Sequence, residues 1–241
     1  MNCTRNPFRR PRGTGVTAAS CLLFAMLGTA TLPVALAAPA APAPQSGAGA
    51  QLNPAGVDVG HPAELVRTAS DIMLRDIDAN RARYRKDRKG LYELVDRVLL
   101  PVFDVNFAGQ QVLGKHWREA TPAQRERFIK AFYRSLLETY GDALIDFTGD
   151  RVKFLPFQGD LAAPRATVRT EIRRDGGSIV KVNYSLRRNA QGQWRAWDVV
   201  IEGISYVKSF QEDFGPEVEQ KGLDALIQRL ETTASAAAKP A

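Results

Sequence analysis

Apolar residues recur along this chain with two periods, and the period changes twice. Leu65, Val66, Ala69, Ile72, Met73 and Ile77 keep a 3.6-residue spacing, and so do Leu91, Leu94, Val95, Val98, Leu99 and Val102. Each set is the buried stripe of a helix. Between the two stripes lies a charged stretch, with Arg81, Arg83, Arg85, Lys86, Arg88 and Lys89. A third, short helix is expected from Asp104 to Gly114. A fourth has the clearest start signal: Thr121 as N-cap, Pro122 at the first helical position and Gln124 closing a capping box. Its stripe is Phe128, Ile129, Phe132, Tyr133, Leu136, Leu137, Tyr140, Ala143 and Leu144.

From Val152 onward the period is two. Val152, Phe154 and Pro156 share one phase, followed by Ala166, Val168, Thr170 and Ile172, then Val180, Val182, Tyr184 and Leu186, and last Trp197, Val199 and Ile201. Arg174-Asp175-Gly176-Gly177 and Asn189-Ala190-Gln191-Gly192 read as hairpin turns. Gly203 breaks the last strand, and Ser205 caps a helix carrying Tyr206, Val207, Phe210 and Phe214. A final helix, with Leu223, Leu226, Ile227 and Leu230, is expected after a break at Gly215-Pro216. The pattern predicts an α+β domain: a four-stranded antiparallel curved sheet with helices packed on its apolar face. Such a sheet can also close into an NTF2-like cone.

Composition changes this picture mainly at the N-terminus. Arg5, Arg9, Arg10 and Arg12 precede an apolar run from Val16 to Leu36, which ends at Ala35-Leu36-Ala37. This reads as a secretory signal peptide over residues 1–37, cleaved near Ala37. An uncleaved anchor fits less well, because the run is rich in Ala, Thr and Gly and contains Pro33. Cleavage removes four Arg and lowers the formal charge from +7 to +3, which weakens a nucleic-acid reading. It also removes Cys3 and Cys21, so a processed chain has no thiol for a disulfide, a nucleophile or a metal. Residues 38–60 read as an Ala/Pro-rich disordered linker, residues 61–231 as one domain, and residues 232–241 as a disordered tail.

Candidate chemistry is sparse. The two histidines, His61 and His116, are far apart; His61 precedes Pro62 at a helix start, and His116 is expected in a polar loop. No H-E-x-x-H, G-x-S-x-G or phosphate-binding loop occurs. No catalytic residue and no metal ligand is assigned, and the chain is not read as an enzyme. An isomerase-like alternative would use Asp198 or Tyr184 in an apolar pocket. If Trp197 and Val199 face the core, however, Asp198 faces out. Arg151, Lys153, Arg165, Arg169, Arg173, Lys181 and Arg187 fall on the polar phase of the strands. They form either a solvated face or a docking surface for an acidic partner or anionic headgroups. The apolar phase either fills an ordinary core or encloses a ligand.

Several stretches, in order, resemble the MlaC family, also described as toluene-tolerance auxiliary proteins. They are Gln111-Val112-Leu113-Gly114, Trp117-Arg118, Ala120-Thr121-Pro122, Gln124-Arg125 with Phe128, Phe132 and Leu136, Thr139-Tyr140, Val152-Lys153-Phe154-Leu155-Pro156, and Asp198 to Phe214. The likeness spans about residues 65–230. It implies a periplasmic carrier, with no cofactor, that holds phospholipid acyl chains as cargo in a pocket between sheet and helices. It implies exchange with an outer-membrane lipoprotein–porin complex and with an inner-membrane ABC transporter bearing an MCE-domain subunit. A monomer is expected. The pocket residues expected on this basis are Phe128, Phe132, Leu136, Tyr140, Phe154, Val168, Val182, Tyr184, Val199, Ile201, Val207 and Phe210. Arg151, Lys153, Arg165, Arg169 and Lys181 are the expected docking residues. The run Lys208-Ser209-Phe210-Gln211-Glu212-Asp213-Phe214 departs from the Asn-Tyr-Arg-like run of many relatives. Hopanoid-associated relatives also exist, so a hopanoid or other lipid stays open as cargo, as does a lipid-free docking module.

Overall fold

Several helices in this protein begin where a side chain accepts from a free backbone N–H group. In the computed structural model, which describes residues 50–146, 151–174 and 176–237, helix α1 spans Pro62–Tyr84 and α2 spans Arg88–Val98. The His61 ring accepts a hydrogen bond from the Ala63 N–H at 3.2 Å and caps α1. A 3-10 turn, Leu100–Val102, leads into α3, Val105–Leu113, which Asp104 caps by accepting from the Phe107 N–H at 3.0 Å. Helix α4 is four residues, His116–Glu119, so His116 is helical and buried where a polar loop was expected. Helix α5, Pro122–Ile145, begins with the full capping box: Thr121 Oγ1 accepts from the Gln124 N–H at 3.2 Å, and Gln124 accepts from the Thr121 N–H at 3.0 Å.

The sheet has five antiparallel strands in sequence order: β1 (Val152–Phe154), β2 (Arg165–Arg173), β3 (Ile179–Arg188), β4 (Trp194–Ile201) and β5 (Ile204–Ser205). The fifth strand corrects the expected count of four. It exists because Glu202 (φ 51°) and Gly203 (φ 84°) both adopt positive φ, as a type I′ hairpin turn requires. The left-handed Glu202 is held in place. Its N–H donates to the Lys181 carbonyl at 2.9 Å, and its carboxylate accepts from the Lys181 N–H at 2.6 Å. The β3–β4 turn is locked by Asn189, whose side-chain oxygen accepts from the N–H groups of Gln191 (3.0 Å) and Gln193 (2.9 Å).

One irregularity re-aims β4. Leu186 pairs with Ala196 and Ser185 with Asp198, so Trp197 is an extra, unpaired residue in a β-bulge. Val199 and Ile201 share the face of Tyr184 and Val182, as the alternation predicts. Trp197 does not share it. Trp194 and Ala196 take its place on that face, and Trp194 is 0% exposed.

Two helices close the chain, α6 (Tyr206–Lys221) and α7 (Leu223–Ala237). The expected break at Gly215-Pro216 is absent. The α6 helix runs through Pro216, and the turn comes at Gly222, whose φ is 82°. Pro216 cannot donate back to Glu212, but Gly215 has no Cβ for the proline ring to strike, and Phe214 and Val218 on either side are buried. The α7 helix continues to Ala237, into residues 232–241 that were expected to be the tail. The chain is also structured before residue 61. Val57 and Val59 are buried, and the Val59 carbonyl accepts from the Trp194 N–H at 2.9 Å. Two valines are enough to anchor a segment whose average composition reads as linker. The expected signal peptide, residues 38–49 of the linker, Asp175 of the first hairpin turn and residues 238–241 lie outside the described residues.

Buried apolar residues form two clusters. The first joins α1, α2 and the C-terminal part of α5 to the sheet through Val168, Leu186, Trp194 and Ala196. The second is helical: Val112 and Leu113 of α3, Phe128, Ala131 and Phe132 of α5, Phe214 and Val218 of α6, and Leu226, Ile227 and Leu230 of α7.

Candidate functional site: an apolar cleft between sheet and helices

On α5 the residues Phe128, Phe132, Leu136 and Tyr140 repeat every four positions, and on α6 Tyr206, Phe210 and Phe214 do the same. In each helix, four-residue steps stack side chains along one face. The two rows meet as a continuous ladder of rings. Phe128 stacks on Phe132 with centroids 5.6 Å apart, Phe132 meets Phe210 edge-on at 5.1 Å, Phe210 meets Tyr206 at 6.2 Å, and Tyr206 meets Tyr140 at 6.1 Å. Helix α5 packs on α7, and α6 packs on α3 and α7, so rings span the space between α5 and α6. Exposure rises along the ladder. Phe128 is fully buried, Phe210 is half-buried, and Tyr140 is 42% exposed. At the outer end burial raises the Tyr140 phenol pKa, helped by the neighbouring Tyr206 and Asp213.

The inner sheet face shows a matching gradient. Pairing aligns Ala166 with Leu186 and Ala196, Val168 with Tyr184 and Val199, Phe154 with Thr170, Val182 and Ile201, and Val152 with Ile172 and Val180. At the Leu186 end α1 covers the face closely. Towards Ile201, Ile172 and Val180 the side chains are only half-buried. Val199 and Ile201 join neither apolar cluster, and neither does the buried Val182. Tyr184 is the most informative residue here. Burial raises its phenol pKa, and the residue as a whole is half-buried.

The expected pocket residues therefore divide between four places. Phe128, Phe132, Leu136, Val207 and Phe210 belong to the helical cluster. Phe154, Val168 and Tyr184 pack against the sheet cluster. Val182, Val199 and Ile201 lie on the strand surface between them, and Tyr140 stands at the exposed end of the ladder. The ladder also includes Tyr206 and Phe214, which were not on that list. Their four-residue spacing from Phe210 was the signal that could have placed them there.

Asp198 differs from its expected place. It sits on the sheet face opposite Tyr184, but it is 3% exposed rather than solvated. Its carboxylate accepts from Ser205 Oγ at 2.7 Å and from the Val207 N–H at 3.0 Å, at the N-terminus of α6. There it satisfies a free helix N–H and meets the positive end of the helix dipole. Asp198 and Tyr184 therefore do not share a pocket. Among the described residues, no group of three or more His, Cys, Asp or Glu could hold a metal ion, and no helix is long and apolar enough to cross a membrane.

The register places Lys153, Arg165, Arg169 and Lys181 together on the outer face. They are not equally available. Lys153 pairs with Glu171 at 3.4 Å, and Arg169 donates to Gln158. Arg165 and Lys181 are exposed, and the half-buried Arg151 lies just before β1. Arg187, in the same phase, is bound to Asp104 at 2.6 Å and lies 4.3 Å from the Phe107 ring centre.

These features define an α+β protein with an apolar sheet face left partly open beside a helical aromatic ladder. The family model described as MlaC protein matches residues 67–232, and the chain belongs to that family. It is 30% identical over 164 residues to the toluene tolerance protein ttg2D of Pseudomonas putida, a match covering 68% of this chain and 75% of that one. It is 26% identical over 177 residues to the intermembrane phospholipid transport system binding protein MlaC of Haemophilus influenzae, covering 72% and 82%. Among solved structures, the phospholipid-binding protein from Ralstonia solanacearum, in complex with a phospholipid, superposes with a TM-score of 0.66 at 25% identity. That match covers 72% of this chain and 97% of the other.

Proposed function

We propose that this protein is a periplasmic phospholipid carrier, exported by residues 1–37, that holds acyl chains between the inner sheet face and the α5–α6 ladder. The observation that carries this reading is the apolar strand surface at Val182, Val199 and Ile201, which joins neither core and lies beside Tyr184. The phospholipid held by the Ralstonia relative supports the same cargo here. Each buried methylene is worth about 0.8 kcal/mol, so covering about ten of them offers roughly 8 kcal/mol against the cost of leaving a bilayer. Binding and release need no nucleophile, metal or cofactor. Tyr140 and Tyr206, at the exposed end of the ladder, would meet the headgroup region, where a ring with a polar tip suits both phases.

The protein would receive and deliver lipid at an outer-membrane lipoprotein–porin complex and at the MCE-domain subunit of an inner-membrane ABC transporter. Arg151, Lys153, Arg165, Arg169 and Lys181 would form the docking face, attracting acidic partners over about a Debye length. Transfer of a labelled phospholipid from donor to acceptor vesicles tests the carrier reading. The wild-type protein should accelerate transfer, and Ile201→Asp, a charge on a half-buried strand position, should abolish it while the circular dichroism stays native. Undiminished transfer by folded Ile201→Asp and Val182→Asp variants would reject this pocket.

A further inference from the structure

Among the described residues, the large apolar side chains that stand out in water are Leu52, Tyr140, Ile179 and Ile204. Two of them share one end of the sheet. Ile179 is the first residue of β3, and Ile204 pairs with Ile201, the last residue of β4. They are 58% and 61% exposed. This is also the end where the inner face is least covered, since Ile172, Val180 and Ile201 are only half-buried. Tyr140 is close by, with its ring against that of Tyr206, two residues after Ile204.

The two isoleucines sit on opposite faces. Ile204, Ile201 and Val182 align across β5, β4 and β3 on the inner face, and exposure falls along that row from the rim to the buried Val182. The row is an apolar path from water into the proposed cleft. Ile179 pairs with Arg173, one step from the inner pair Ile172 and Val180, so it lies on the outer face, away from the cleft. The cleft therefore accounts for Ile204 but not for Ile179.

The surroundings are basic. Residues 173–181 hold Arg173, Arg174 and Lys181 against one acid, Asp175. All three cations are exposed. The carboxylate of the neighbouring Glu202 is engaged by the Lys181 N–H at 2.6 Å. Isolated apolar tips among cations suit a fluid anionic surface. A protein partner needs a shaped socket for each tip, whereas lipids rearrange around it while the cations meet phosphates.

We propose that this end of the sheet seats directly on an anionic bilayer, with Ile179 and Ile204 inserted at headgroup level, and that lipid enters the cleft along the row Ile204, Ile201 and Val182. An end-on approach brings tips from both faces of the sheet to one surface. A tail that follows the row keeps apolar contact and avoids water. The proposal rests on the carrier reading, and its test separates the two.

Ile179→Asp is the most selective variant, because the residue is exposed and lies on the face away from the cleft. Native mass spectrometry of the full processed chain reads the lipid retained. Transfer of a labelled phospholipid between phosphatidylethanolamine vesicles, with and without phosphatidylglycerol, reads docking. The wild-type protein should transfer faster when phosphatidylglycerol is present. Ile179→Asp should retain as much lipid as wild type yet transfer it about tenfold more slowly, as expected from replacing an inserted isoleucine by an acid. Arg173→Glu with Arg174→Glu should remove the response to phosphatidylglycerol. A wild-type rate in folded Ile179→Asp, or a wild-type protein indifferent to phosphatidylglycerol, would overturn the docking surface. So would a lipid-loaded protein that exchanges nothing with vesicles alone, an outcome that leaves the lipid-filled cleft standing and assigns this end to a protein partner. A wild-type protein that retains no lipid would reject the carrier reading and the docking surface with it.

Discussion

The two apolar clusters are built from different side chains, and the difference follows what each one does. The buried residues of the cluster under the sheet are mostly aliphatic, among them Leu65, Ile77, Leu91, Leu94, Val98 and Leu186, together with a fully buried Trp194. Branched side chains of this kind fill space to crystal-like density. The helical cluster is organised by Phe128, Phe132, Phe210 and Phe214, and its ladder ends in partly exposed rings. Aromatic rings are rigid and rotate about few bonds, so they can border a gap without folding into it. The aliphatic cluster holds the fold, and the proposed cleft draws on both, with Phe154, Val168 and Tyr184 on the sheet side and the ladder on the other.

The sharpest way to break this comparison is to truncate one anchor from each side. Trp194→Ala should cost about 3–5 kcal/mol in denaturant unfolding, as expected for a large buried aromatic. Asp198→Ala comes next. It removes the carboxylate that accepts from Ser205 Oγ and from the Val207 N–H at the start of α6, at about 2–3 kcal/mol, read from the same unfolding curves. Phe210→Ala should cost less, about 1–2 kcal/mol for a half-buried ring, yet lower the lipid retained after purification more than either of the others. If Phe210→Ala destabilised the fold as much as Trp194→Ala and left lipid content unchanged, the two clusters would not divide the work in this way.

A further effect is confined to alkaline pH. Burial, and the hydrogen bond and negative charge of Asp76, push the Tyr84 phenol from its ordinary value of 10.0 up to about 12. The folded state thus holds that proton more tightly than the unfolded state. The associated stability is complete below pH 10 and is lost as pH rises towards about 12. Tyr84→Phe should flatten that part of the stability profile, measured as the shift of the unfolding midpoint with pH.

Signals carried by one or a few adjacent residues could be read from the sequence alone. Thr121, Pro122 and Gln124 define the start of α5 because a capping box is a local hydrogen-bond arrangement. Asp104 and Gly114 bound α3 for the same kind of reason. Features set by the partner strand or by tertiary packing were hidden. The bulge at Trp197 depends on how β4 meets β3, and without it a strict alternation puts the wrong tryptophan on the inner face. The break at Pro216 looked firm by local rules, but the buried Phe214 and Val218 carry the helix through it. Glu202 is a poor candidate for positive φ until its contacts with Lys181 are visible. Within the candidate site, the α5 and α6 rows were legible as four-residue spacings, whereas their joining through Phe132 and Phe210 was not.

The central claim is that the half-covered face between the two clusters holds a lipid. Native mass spectrometry of the protein purified from the periplasm, with lipid extraction alongside, tests it most directly. The account predicts a species heavier than the processed chain by one phospholipid, and the same lipid in the extract. A mass equal to the bare chain, still unchanged after incubation with phospholipid vesicles, would contradict it.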